Sequence, residues 1–188
     1  IAQVTDVFPD NLTWVNETID ILVTTNEDAF CRFDNRSGIA FDSKRWNMSG
    51  LGILHTYNFN FSYEGEHTFY FQCNDSAGNL MKLEDEWFHI INFENRSPVT
   101  TSNFTLNDTW TSQDQSISLS VTDQSPSSTI NWTRYCIGAS CDPVAGTDYG
   151  SSLDYSEGTY ILRYASKDIA GNLEPTREII IKIDQTLP

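Results

Sequence analysis

No stretch of this chain is apolar over the ~18–20 residues that a helical membrane span requires, so direct membrane insertion is not expected. Basic residues are scarce: 11 Lys and Arg stand against 26 Asp and Glu, a formal charge of −15. A field of that sign repels phosphate, which argues against nucleic acid and anionic lipid as partners. A solubilising surface explains it more simply than an acidic binding patch. Helical periodicity is nearly absent, and no Gly/Ser-rich tether interrupts the chain. Catalytic equipment is missing as well. His55, His67 and His89 lack metal-ligand spacing and read as satisfied surface or rim residues, although His67 and His89 could meet on neighbouring strands. Cys136 and Cys141 form a CX4C with no second pair to complete a zinc site, and no nucleophile elbow or phosphate loop occurs. The expectation is a non-enzyme without a cofactor.

What the chain does have is a repeat. DSAGNL at 75–80 returns as DIAGNL at 168–173, 93 residues later, and Glu64-Gly65 returns as Glu157-Gly158 at the same offset. A constant offset in a chain of 188 residues predicts two domains, 1–95 and 96–188, of ordinary domain size. Pro98 in ENRSPV marks the boundary, and the few residues there predict a stiff link. Alternation of period two predicts strands throughout. Ile19, Ile21 and Val23 alternate, as do Ile117, Leu119 and Val121. Phe69, Phe71 and Cys73 precede the first hexapeptide, and Trp87, His89 and Ile91 follow it. Leu162, Tyr164 and Ser166 precede the second, with Ile179, Ile181 and Ile183 behind. Each hexapeptide thus falls where a hairpin turn belongs. Asp75 and Asp168 can bond the amides ahead of them, while Gly78, Asn79, Gly171 and Asn172 tolerate a tight turn's backbone. A structural calcium site at either Asp is the rival reading, but one carboxylate is far short of the six to eight oxygens that calcium takes.

Asn-X-Ser/Thr sequons begin at Asn11, Asn16, Asn35, Asn47, Asn60, Asn74, Asn95, Asn103, Asn107 and Asn131, ten of the fifteen asparagines. With Ser and Thr near a fifth of the chain, chance gives roughly three, so the excess implies covalent N-glycans and a secreted or cell-surface protein. Asn95 is the weakest acceptor, because Pro98 follows its Ser97. In TYNFNFSY the alternation puts Tyr57, Phe59, Phe61 and Tyr63 on one face, away from Asn60. In an oxidising compartment the four cysteines should pair. Cys31 in AFCRF and Cys73 in FYFQC occupy inward positions, so Cys31–Cys73 and Cys136–Cys141 are expected, with cross-domain pairing as the alternative. The run Glu84-Asp85-Glu86 reads as a solvated hairpin shoulder.

SPVTT, SISLSVTD, INWTRYC, EGTYILRYASKDIAGNLEP and IIIKIDQTLP together resemble the Ig-like repeats of bacterial and archaeal cell-surface proteins. The resemblance covers about 97–188 closely and 1–94 more loosely, through FCRF and FYFQCNDSAGN. It implies an all-β fold of two tandem immunoglobulin-like or fibronectin-III-like β-sandwiches, each of about seven strands. It further implies an extracellular structural or adhesive role in tandem arrays, such as a stalk, adhesin, sheath or pilus-like filament. Expected partners are neighbouring copies or further Ig-like domains of the same protein. Both ends, Ile1 and IDQTLP at 183–188, read as cuts in a longer array. One route to a filament is that the alternating segment IAQVTDVF adds as a strand to a neighbour's sheet edge. The alternative function is a carbohydrate-binding module that recognises surface glycans. In that reading Trp46 and Trp110, in polar loop-like settings, are the exposed stacking platforms, whereas Trp87 and Trp132 are core.

Overall fold

Alternation becomes strand along the whole computed structural model, which describes residues 1–50 and 52–186. Leu187 and Pro188, the end of IDQTLP, lie outside the described residues, as does Leu51. The chain divides into two units, Ile1–Asn95 and Arg96–Pro188, and each closes its own β-sandwich.

The first unit runs β1 (Val4–Phe8), β2 (Thr13–Val15), β3 (Ile19–Thr25), β4 (Ala29–Asp34), β5 (Trp46–Asn47), β6 (Leu54–Phe59), β7 (Gly65–Asp75) and β8 (Trp87–Phe93). One sheet has the order β1-β3-β6; the other is β2-β8-β7-β4-β5. The second unit runs β9 (Val99–Ser102), β10 (Trp110–Thr111), β11 (Gln115–Ile117), β12 (Leu119–Thr122), β13 (Ile130–Ile137), β14 (Thr147–Asp148), β15 (Leu153–Tyr155), β16 (Gly158–Asp168) and β17 (Arg177–Ile183). Its five-stranded sheet, β10-β17-β16-β13-β14, repeats the first unit's order. Pairs β9–β12 and β11–β15 make the facing layer, with β11 and β12 broken only at Ser118.

The expected seven or so strands become eight among the described residues of each unit, counting β11 and β12 as one. The extra one arises because the leading strand changes sheets. β1 pairs antiparallel with β3, whereas β2, a few residues later, pairs parallel with β8. In the second unit β9 and β10 make the same switch, with β10 parallel to β17. Both crossovers use a residue in the left-handed region, Leu12 at φ 66° and Asp108 at φ 59°. That conformation is unfavourable for a side chain such as Leu, so tertiary bonds must hold it. They do. Leu12 N donates to Ile90 O at 2.7 Å, and Asn11 Oδ1 accepts from Ile90 N at 2.7 Å. Asp108 N donates to Ile180 O at 2.9 Å, and Asn107 Oδ1 accepts from Ile180 N at 2.7 Å. NLTW at 11–14 and NDTW at 107–110 are therefore a second repeated motif.

The first core centres on Phe33, whose ring lies 5.0 Å from Trp46 and from Tyr57, 5.6 Å from Phe69 and 5.2 Å from Phe71. Phe59 of the facing sheet reaches Phe69 at 4.7 Å, closing the two layers face to face. Burying each such ring stabilises the unit by about 1.5–3 kcal/mol. The second core is aliphatic, built from Ile117, Leu162, Ile179, Ile181 and Ile183 with Tyr155 and Tyr164.

IAQVTDVF is not a free donor strand: it is β1, paired within its own unit, with Ala2, Val4 and Val7 buried. A register shift between Val4 and Asp6 carries the inward face from Val4 to Val7. Tyr63 does not share the core face, since β6 ends at Phe59; it is 56% exposed and stacks on His67 at 4.2 Å. Glu86 is no solvated shoulder. Its carboxylate pairs with Lys44, whose side chain is fully buried, and accepts from Gly38 N.

Candidate functional site

Each repeated hexapeptide closes a hairpin in the same way. Asp75 Oδ1 accepts from Ala77 N at 2.9 Å and Asn79 N at 2.8 Å, while Oδ2 accepts from Asn79 Nδ2 at 2.9 Å. Asp168 Oδ1 accepts from Gly171 N at 2.7 Å and Asn172 N at 2.8 Å, with Asn172 Nδ2 on Oδ2 at 2.9 Å. Gly78 at φ 85° and Gly171 at φ 106° supply the backbone that other residues resist. The chain then folds back: Met81 N reaches Cys73 O at 2.9 Å, and Glu174 N reaches Ser166 O at 3.1 Å. The Asn79 amide, the strongest influence, holds the Asp75 carboxyl below the usual carboxylate range. The Asp carboxylates spend their oxygens on N–H donors, which is a turn-building role.

Beyond the turn the copies differ. Pairing resumes at Trp87 in the first unit and at Arg177 in the second. Five residues, 82–86, separate Met81 from Trp87, whereas only Pro175 and Thr176 separate Glu174 from Arg177. The three extra residues form a short 3-10 turn at Leu83–Asp85 and leave an open groove of about 370 Å³ beside it. Asn11, Asp85, Glu86, Trp87, Phe88 and His89 line that groove.

The tryptophans are redistributed relative to expectation. Trp46 packs on Phe33 and, edge-on, on Phe59 at 5.2 Å, so it belongs to the core. Trp87 is 39% exposed at the first position of β8, next to the 82–86 excursion. Trp110 is 58% exposed, as expected, with Lys182 Nζ 5.9 Å from its ring. Trp132 is half-buried under the Arg134 guanidinium at 4.8 Å.

All three histidines are buried rather than at the rim. His55 Nε2 sits 3.3 Å from Thr25 Oγ1, His67 Nε2 donates to Tyr63 O at 2.9 Å, and His89 Nε2 donates to Pro9 O at 2.6 Å. His67 pairs with Ile91 and His89 with Phe69, so the two lie diagonally rather than opposite. Burial pushes each imidazole pKa down; the carbonyl bonds, and for His89 the nearby Asp10 and Asp6, act the other way without prevailing.

Both disulfides form as expected. Cys31–Cys73 joins directly opposite residues of neighbouring strands β4 and β7, with Cα atoms 4.1 Å apart. Cys136–Cys141 staples the end of β13, and Arg163 Nη1 donates to Cys141 O at 2.6 Å.

Eight sequon asparagines are exposed, and Asn16 and Asn74 are half-buried. Six of the ten lie in or within three residues of a sheet-edge strand: Asn11 and Asn16 flank β2, Asn47 is in β5, Asn60 follows β6, Asn103 follows β9 and Asn107 precedes β10. Asn35 follows β4, Asn74 is the penultimate residue of β7, opposite Phe30, Asn95 sits at the unit boundary and Asn131 is in β13. Asn103 uses both ends of its amide to span the break at Ser118, donating from Nδ2 to Ser116 O at 3.1 Å and accepting from Ser118 N at 2.8 Å.

Among solved structures, the chain is similar to the CbhA fibronectin(III)-like modules of Clostridium thermocellum. Identity is 11%, coverage is 98% of this chain and 94% of that one, and the TM-score is 0.53. The fold is fibronectin-like. A sialic acid binding region of a Streptococcus sanguinis adhesin also matches, at 9% identity, 97% and 77% coverage and a TM-score of 0.30. No family model and no curated protein matches the chain.

Proposed function

We propose that this chain is a structural or adhesive section of a heavily N-glycosylated protein outside the cell, as in a stalk, sheath or filament. The observation that carries this reading is the placement of sequons along strand edges. An edge strand offers unpaired N–H and C=O groups to any other chain, and a glycan beside it blocks that pairing sterically. Six of ten sequons stand where such a block is useful. Two disulfides fit an oxidising compartment. The repeated turns and crossovers fit modules of the Ig-like surface-protein kind, joined to further domains or to neighbouring copies.

The reading assigns no catalysis: the imidazoles are buried and bonded to backbone or threonine, and the Asp75 and Asp168 carboxylates accept from the N–H groups of their turns. The carbohydrate-binding alternative loses Trp46 to the core and keeps Trp110. Intact-mass measurement on natively purified protein tests the main reading, with a mass far above the bare 21.3 kDa expected. A bare mass would remove its support. A glycan array comparing wild type with Trp110→Ala separates the alternative, which requires tight binding that this substitution abolishes.

A further inference from the structure

Three surface grooves hold a sequon asparagine, whereas a fourth of about 240 Å³, lined by Gln3, Val4, Met81, Asp85 and Trp87, holds none. The groove of about 370 Å³ is lined by Asn11 together with Trp87, Phe88 and Asp85. A second, of about 340 Å³, has Asn131 beside Trp132, Arg134 and Tyr149. A third, of about 250 Å³, has Asn74 beside Phe30 and Asp28. Each of these three grooves thus combines a sequon asparagine, at least one aromatic ring and a charged group. We propose that the N-glycans on Asn11, Asn74 and Asn131 lie down in these grooves, so that the protein's own sugars are their occupants. This rests on the reading that the sequons are occupied.

The chemistry suits the occupant. A pyranose presents a C–H face that packs over an aromatic ring, while its hydroxyls bond carboxylate and guanidinium groups at the rim. Grooves of this size, shallow and partly apolar with a few polar groups, hold roughly one or two sugar rings. Asn11 is also oriented for the task. Its Oδ1 is held by Ile90 N, and its Nδ2, the atom that carries an N-glycan, makes no hydrogen bond among the described residues. A sugar on Nδ2 leaves the Oδ1 bond intact, so attachment and the crossover do not conflict. Phe88 next to it is 58% exposed, an apolar ring otherwise left to water. The 82–86 excursion that opens this groove has no counterpart in the second unit, where the groove at Asn131 is built differently, against the Arg134–Trp132 stack.

The test is a double-mutant cycle on the natively glycosylated chain, with glycopeptide mapping of every variant. Thr13→Ala erases the Asn11 sequon while keeping the Asn11–Ile90 bond; Phe88→Ala removes the ring but keeps the glycan. Thr13→Ala should lower the folding equilibrium constant about fivefold when Phe88 is present and leave it nearly unchanged in Phe88→Ala. In NMR spectra, protons of the first sugar should shift upfield by ring current in wild type and return in Phe88→Ala. Ser76→Ala with Phe30→Ala repeats the cycle at Asn74 should the Thr13 variant fold poorly. Additive effects and unshifted sugar protons on a chain with Asn11 occupied would overturn the proposal alone. A map with only Asn11, Asn74 and Asn131 bare would likewise overturn the proposal alone, whereas a map with all ten sequons bare would overturn the glycoprotein reading beneath it. Glycan released from the protein and binding the fully glycosylated chain at Trp87 would also overturn it, because the groove would then be open.

Discussion

Asp168 carries more of its turn than Asp75 does. Asp168 is fully buried and its partner Asn172 is buried, whereas Asp75 keeps 8% exposure and its partner Asn79 is exposed. Asp168→Ala leaves three N–H donors without an acceptor in a buried setting and should cost about 3 kcal/mol; Asp75→Ala should cost less. Chemical denaturation of both variants checks the order. The histidines give a pH prediction. Folded imidazoles are held neutral, so below about pH 6.5 the unfolded chain binds protons that the folded unit refuses. Their contribution is fully present above that pH and is lost as pH falls through it towards the lower folded values. Asp75, with its lowered pKa, adds stability that is present above about pH 3.9 and disappears only in stronger acid. Since His55, His67 and His89 all lie in the first unit, calorimetry from pH 7 to pH 5 should show that unit's transition moving down while the second unit's stays nearly fixed. At this scale the sequence was least legible. A polar side chain at an inward strand position looks the same whether a carbonyl waits for it or water does. Trp46 and Trp87 exchange roles for a related reason: what covers a ring is set by which loop lies over it, and local pattern does not contain that.

The elements were easier to read, because a strand's side chains must alternate and a buried face must be apolar. Ile21, Val23, Phe69, Phe71, Leu162, Tyr164, Ile179 and Ile181 are buried where the alternation puts them. The sheet-switching crossovers were missed, although NLTW and NDTW carried the signal. Their significance lies in pairing to Ile90 and Ile180, 79 and 73 residues away, which periodicity cannot show. The inward positions of Cys31 and Cys73 were legible through the same alternation. Their separation of 42 residues sets the entropy that the bridge removes from the unfolded chain. Replacing both by Ser should cost up to ~4 kcal/mol on the chain-entropy model, against about 2 for Cys136 and Cys141, whose separation is 5. Denaturant midpoints under non-reducing conditions, each double variant against wild type, give the comparison.

At the scale of the molecule, the same sandwich order is reached by two sequences that share little beyond turn residues. One core is built around Phe33 and its aromatic neighbours, the other around aliphatic Ile and Leu. The repeat made the doubling visible; the difference in core chemistry lay in the residues between the motifs. The Cys31–Cys73 bridge has a mechanical consequence. When tension is applied to the chain ends, the covalent path runs through the sulfur atoms, and the 42-residue span between the cysteines bears no force. The first unit can therefore pay out only part of its length before its backbone is taut, and the second is shortened by just the five-residue span of Cys136–Cys141. In a single-molecule pulling experiment, adding reductant releases each loop's contour less the span of its bridge, and should lengthen the first unit's unfolding step by about 140 Å and the second's by about 11 Å. Under load, with its bridge closed, the first unit acts as a short tether that yields little.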